Sequence, residues 1–197
     1  MATLHLASTL LRKAVAAVAD RPARSTERLD TNSASQVYAW LFSGPDVVFE
    51  DEGTGSTLSI GSYRNAWAMG SRDFDCVINC CPLEGAAPHP RAHLVDLADT
   101  DDVSLTPALP ALALVLADVR AVMATAGGRV LCHCWMGASR SVAVAIYLLC
   151  RIYGYGNFET PEDAFMHYYG TFKRYRPCIN VSVQLKREVC RLLLAQQ

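Results

Sequence analysis

Charge of one sign is what this chain lacks: 18 lysines and arginines against 19 aspartates and glutamates leave a formal net charge of −1. So even a balance gives no broad electrostatic footprint for nucleic acid or for an anionic membrane surface, and any anion site must be local. Long apolar runs read as absent too, none approaching the roughly 18 to 20 residues of a membrane span. Arg12 and Lys13 interrupt the N-terminal stretch that comes nearest to a secretory segment. These absences lead us to expect a protein with no membrane span and no nucleic-acid partner, located in the cytoplasm, with the nucleus as second location and the mitochondrion third.

Paired C-x2-C knuckles with partnering histidines are missing as well, so no zinc site is expected. Eight cysteines are nevertheless present: Cys76, Cys80, Cys81, Cys132, Cys134, Cys150, Cys178 and Cys190. A chain of 197 residues that is 51% hydrophobic has no need of a disulfide framework, so most of these read as reduced core residues. Charged residues make up only 19%, and the apolar share is enough to bury a full core rather than leave the chain disordered. The length suits one domain with a short extension and leaves no room for a second catalytic domain.

What is present falls into two parts, 1–36 and 37–197. In the first, Leu4, Leu11, Val15 and Val18 share one helical face. We expect an amphipathic helix that packs on this domain or on a second copy, which would make a homodimer; a targeting peptide is the rival reading. Residues 21–36, rich in Arg, Ser, Thr and Asp, read as a linker. In the second part the spacing predicts strands over 46–50 and 57–60 around Gly53-Thr54-Gly55, a hairpin turn. It further predicts a short helix over 65–70, strands over 74–80 and 93–97, and an Ala/Leu/Val helix over 107–126 that Gly127-Gly128 ends. A central strand over 129–133 and helices over 141–151, 161–169 and 183–195 complete the list. The expected class is α/β: a central, mostly parallel β-sheet flanked by helices on both faces.

The chemistry lies between the central strand and the helix after it. In Cys134-Trp135-Met136-Gly137-Ala138-Ser139-Arg140 five residues separate a cysteine from an arginine. Five residues can curl so that successive backbone N–H groups point inward, and the following helix adds its positive N-terminal end, which makes a nest for a dianion. Gly137 tolerates the positive φ such a turn requires. Arg140 offers a planar fork to two phosphate oxygens. The same field favours ionised Cys134, since thiols in such places have pKa values of about 3.5 to 7.5 against about 8.5 when free. A thiolate attacks phosphorus without a separate base.

His133-Cys134-x-x-Gly137-x-Ser139-Arg140-Ser141 resembles the signature of the dual-specificity protein phosphatases, within the cysteine-based phosphatase superfamily. Residues 58–66, 74–79 and 147–149, together with Arg176-Pro177 and Gln184-Leu185, resemble further family segments, so that the resemblance covers roughly 37–195. It implies hydrolysis of phosphotyrosine and of phosphoserine or phosphothreonine in a phosphorylated protein substrate, through a cysteinyl-phosphate and with no metal or cofactor. It also implies three roles: Ser141 donates a hydrogen bond to the departing sulfur, His133 orients the loop, and an upstream aspartate is the general acid. Asp99 is the choice, because it follows the strand and precedes Thr100. It lies 35 residues before Cys134; Asp102 is second, and Asp96 and Asp101 stand nearby. Trp135 and Met136 depart from the small or charged residues commoner in the family's loop, and Tyr147 follows the arginine one residue early. Two other readings stay open: a phosphoinositide or RNA 5′-phosphatase, against which the absence of a loop lysine weighs, and a phosphoprotein-binding module with little turnover.

Overall fold

Asp51 explains the first hairpin: its Oδ1 accepts hydrogen bonds from the backbone N–H groups of Gly53 (3.0 Å) and Thr54 (2.9 Å), and Gly55 takes a φ of 68° to complete the reversal. The strands it joins are β1 (Asp46–Glu50) and β2 (Thr57–Ser62), paired antiparallel. The computed structural model describes residues 44–68, 73–81, 89–98, 100, 103–155 and 157–195. The N-terminal helix and linker expected over 1–36, and the acid candidates Asp99, Asp101 and Asp102, lie outside the described residues.

After β2 come helix α1 (Tyr63–Ala68) and strands β3 (Cys76–Asn79) and β4 (Ala92–Leu94). A 3-10 turn (Thr106–Ala108) leads into helix α2 (Leu109–Met123), then strand β5 (Arg129–Cys134). Helices α3 (Arg140–Tyr153), α4 (Pro161–Tyr175) and α5 (Val183–Leu194) follow. The sheet order is β1-β2-β5-β3-β4, with every pair but β1/β2 parallel. The expected α/β class holds.

Strand β5 is central and buried on both faces from Val130 onward, which is why it reads as a nearly continuous apolar run. Its alternate residues Val130 and Cys132 join Leu58, Ile60, Cys76 and Ile78 in the main core. Leu131 faces the other way, to Phe74, Val77 and Ala66 of α1. Helices therefore flank both faces, unequally. Helix α3 is buried at every position from Arg140 to Cys150 and packs on β5, β2 and helices α2, α4 and α5. Its first turn is thereby fixed against the end of β5, and parallel α/β sheets hold their ligands at that carboxyl end.

Several boundaries differ from expectation. β4 ends at Leu94 rather than 97: the Val95 N–H still bonds the Asn79 carbonyl of β3 at 2.8 Å, but beyond it the chain turns the Leu97 carbonyl to Arg140. Helix α4 continues past Tyr169 to Tyr175 because Phe172, fully buried, anchors a turn beyond Gly170. The expectation that no run approaches a membrane span's length also needs correcting. Residues 106–123 meet that test by length and composition alone. Leu112, Val115, Val119 and Val122 of this stretch are buried, and α2 packs on β3, β4, β5 and α3, the pattern of a core helix.

Candidate active site

Cys134 closes β5 and Arg140 opens α3, so residues 135–139 must bridge a strand end and a helix start that the core already holds in place. Four consecutive carbonyls of this bridge accept hydrogen bonds from outside it. The Trp135 carbonyl takes the Tyr63 N–H at 3.2 Å, and the Ala138 carbonyl takes the Asn180 N–H at 2.8 Å. Between them, Arg176 donates from Nη2 to the Met136 carbonyl (3.0 Å) and from Nε to the Gly137 carbonyl (2.8 Å). In a trans peptide the carbonyl and the next N–H point opposite ways. Pulling these carbonyls outward turns the amides of Met136, Gly137, Ala138 and Ser139 inward, toward Cys134.

The sulfur registers the result. Sγ of Cys134 accepts the Gly137 N–H and the Ser141 hydroxyl, each at 3.3 Å. Burial pushes this thiol up, but the Ser141 hydroxyl and the backbone N–H groups of Ser141, Ser139 and Ala138 together bring it below its ordinary range. The thiolate is favoured by a ring of dipoles. His133, expected to orient the loop, is fully buried, and burial pushes its ring down to about 4 despite an opposing hydrogen bond with the Cys134 backbone. It is neutral near pH 7 and supplies no positive charge.

Arg140 is buried, and its Nη1 donates to the Leu97 carbonyl at 3.1 Å. That contact brings the chain two residues before Asp99 against the first turn of α3. Ser104 and Leu105, ahead of the 3-10 turn, are also held. Glu188 of α5 accepts the Leu105 N–H (3.0 Å) and the Ser104 hydroxyl (2.9 Å), and its carboxyl is kept down at about 2, first by the Arg191 hydrogen bond. Asp96, the described member of the cluster, is exposed.

Sequence reasoning missed the clamp. Arg176 is fully buried, and besides the two loop carbonyls its Nη1 reaches Asp46 Oδ2 of β1 at 2.7 Å. Its only sequence signal was the Arg-Pro pair of the closing segment. Gly137 is indispensable for two reasons: its φ is 68°, and a Cβ there would stand 2.4 Å from the Gly61 carbonyl oxygen. Gly137→Ala is therefore expected to cost about 1 to 3 kcal/mol in strain and to lower activity about 100-fold or more by displacing the amides. Denaturant titration beside an aryl phosphate assay measures both, and wild-type values in both would show that the loop tolerates the side chain.

Below the loop the sulfurs of Cys80 and Cys132 lie 3.6 Å apart, and Cys132 donates to the Ser141 carbonyl at 3.2 Å. Burial pushes Cys80 well above its ordinary range, so it is a thiol at neutral pH. At the loop's mouth, Trp135 is 53% exposed and Met136 40%.

This sheet order, with a cysteine-to-arginine loop between its central strand and a buried helix, is the fold of the dual-specificity phosphatase domains. Among solved structures, the Yvh1 phosphatase domain from Chaetomium thermophilum superposes with a TM-score of 0.60 at 16% identity, over 77% of this chain and 96% of that one. Human DUSP28 gives 0.56 at 20% identity over 78% and 95%. OH1 from the Orf virus, a tyrosine phosphatase described as having triple substrate specificity, gives 0.55 at 20% over 78% and 88%. No family model and no curated protein matches the chain.

Proposed function

We propose that the chain is a cysteine-dependent protein phosphatase that hydrolyses phosphate monoesters of tyrosine and of serine or threonine. The observation that carries this reading is the Cys134 sulfur, ringed by inward amides and the Ser141 hydroxyl and held below the ordinary thiol range, with Arg140 at the next helix start. In this mechanism the amides and the Arg140 guanidinium hold the phosphoryl oxygens, and the Cys134 thiolate attacks phosphorus in line with the ester oxygen. Asp99, as the acid, gives the departing oxygen its proton. In the second half, carboxylate Asp99 takes a proton from water, which attacks the cysteinyl-phosphate, and Ser141 stabilises the sulfur as it leaves. Between Cys134 and Arg140 there is no lysine, which weighs against a substrate with several phosphates.

The test is hydrolysis of an aryl phosphate by the full chain in the presence of chelator, with inhibition by vanadate; no turnover under these conditions sinks the reading. Asp99→Asn is expected to lower kcat/KM by about 100- to 10,000-fold. An acid works only while protonated, so the wild-type rate falls as pH rises through its pKa, and Asp99→Asn should lack that alkaline limb. If Asp102→Asn loses the limb instead, the acid is Asp102.

A further inference from the structure

We infer that Trp135, stacked on Tyr63, forms an aromatic wall at the mouth of the phosphate loop that favours aryl phosphates, phosphotyrosine foremost, over the alkyl esters phosphoserine and phosphothreonine. This rests on the phosphatase reading above and narrows its substrate class.

Trp135 is the residue immediately after the nucleophile, and more than half of its surface is open to solvent. So large an apolar side chain contributes little to the core when it stands in water. It is nevertheless fixed. Its carbonyl accepts the Tyr63 N–H at 3.2 Å, and the two rings lie nearly parallel, 15° apart with centroids 5.9 Å from each other. That is an offset stack, and aromatic side chains have few torsions to freeze. Met136, also exposed, adds apolar surface beside it, and residues 135–139 carry no charge. The part of the rim that residues 135–139 form is thus neutral and aromatic, where charge would have been the simple way to attract a phosphate.

The chemistry of the leaving group says what such a mouth fits. With phosphorus held over Cys134 and the ester oxygen pointing away from the sulfur, whatever follows that oxygen lies at the level of the rim. In an aryl ester this is a planar apolar ring, which an indole covers by offset or edge contact. In phosphoserine or phosphothreonine it is one carbon and then a peptide backbone, whose polar groups lose water against the indole and gain few partners. Tyr63 supports the wall by fixing the plane of the indole through the stack.

The experiment compares kcat/KM of the full chain on a phosphotyrosine peptide and a phosphothreonine peptide of otherwise identical sequence. Aryl esters are intrinsically the more reactive, but that difference cancels when the same ratio is compared between variants. Trp135→Ala is expected to lower the tyrosine-to-threonine ratio about tenfold, equivalent to about 1.4 kcal/mol. Trp135→Phe should retain most of the ratio, and Tyr63→Leu should lose part of it. A ratio that stays at the wild-type value in Trp135→Ala overturns the inference while leaving the phosphatase intact. Should that variant fail to fold, Trp135→Leu and Tyr63→Leu decide the matter by the same ratio. Absence of hydrolysis of both peptides and of the aryl phosphate by the unmodified chain would instead sink the phosphatase reading itself.

Discussion

Cys134→Ser is expected to lose at least about 10,000-fold in kcat/KM toward an aryl phosphate while melting close to the unmodified protein, because it removes the nucleophile and almost nothing else. Serine fits the space of a side chain that is only 2% exposed, and its oxygen can accept the same Gly137 and Ser141 hydrogen bonds. A hydroxyl in that ring of donors does not ionise near neutral pH. The checks are steady-state turnover, thermal melting and intact mass after rapid quenching, where the unmodified chain should show a phosphoryl adduct that Cys134→Ser lacks. Activity at the original level in the serine variant would end the assignment. A companion change fixes the sign of the electrostatics. Ser141→Ala removes the first of the contributions that lower the Cys134 thiol, so its pKa rises. Thiolate is lost as pH falls through that pKa, and the acidic limb of kcat/KM should therefore move to higher pH.

Arg176→Leu carries the second large effect, on stability and activity together. It leaves the Met136 and Gly137 carbonyls and the Asp46 carboxylate without their donor. Removing one partner of a buried ion pair typically costs about 3 to 5 kcal/mol, and less for this one because the Asp46 side chain is 31% exposed. Burial already pushes the Asp46 carboxyl up, and Arg176 pulls it back down, so without the guanidinium Asp46 takes its proton at higher pH. The expected result is a lower denaturant midpoint at unchanged m-value, with turnover down about 100-fold or more as the loop amides lose their orientation. Asp46→Asn keeps both loop bonds and should be milder on both measures. An Arg176→Leu protein with full activity would mean that the loop holds its shape without the clamp.

Cys134 and Arg140 were legible because their relation is local: one spacing, set between a strand pattern and a helix pattern. The capping of α4 is equally local, with Thr160 and Asp163 exchanging hydrogen bonds across the first turn. By contrast Arg176 and Asn180 meet the loop from about forty residues away, and no periodicity marks a side chain whose partners are backbone carbonyls. The stack of Tyr63 on Trp135 depends on the parallel register of β2 with β5, in which Ser62 stands opposite Cys134. Val95 and Leu97 look like strand and are buried like strand, but past the Val95 N–H, which still bonds Asn79 of β3, the chain serves Arg140 and β4 ends short of 97. Helix α4 outran its expected end because burial of Phe172 outweighs the roughly 1 kcal/mol that Gly170 costs a helix.

The outward-held carbonyls of residues 135–138 have one more consequence. Because the scaffold orients these dipoles when the chain folds, that work is not repeated at each catalytic cycle. Tertiary stability and rate acceleration are therefore two readings of the same contacts at this place. Loosening the turn between α4 and α5, far along the chain from the sulfur, is expected to slow turnover by way of the loop carbonyls that Arg176 and Asn180 hold.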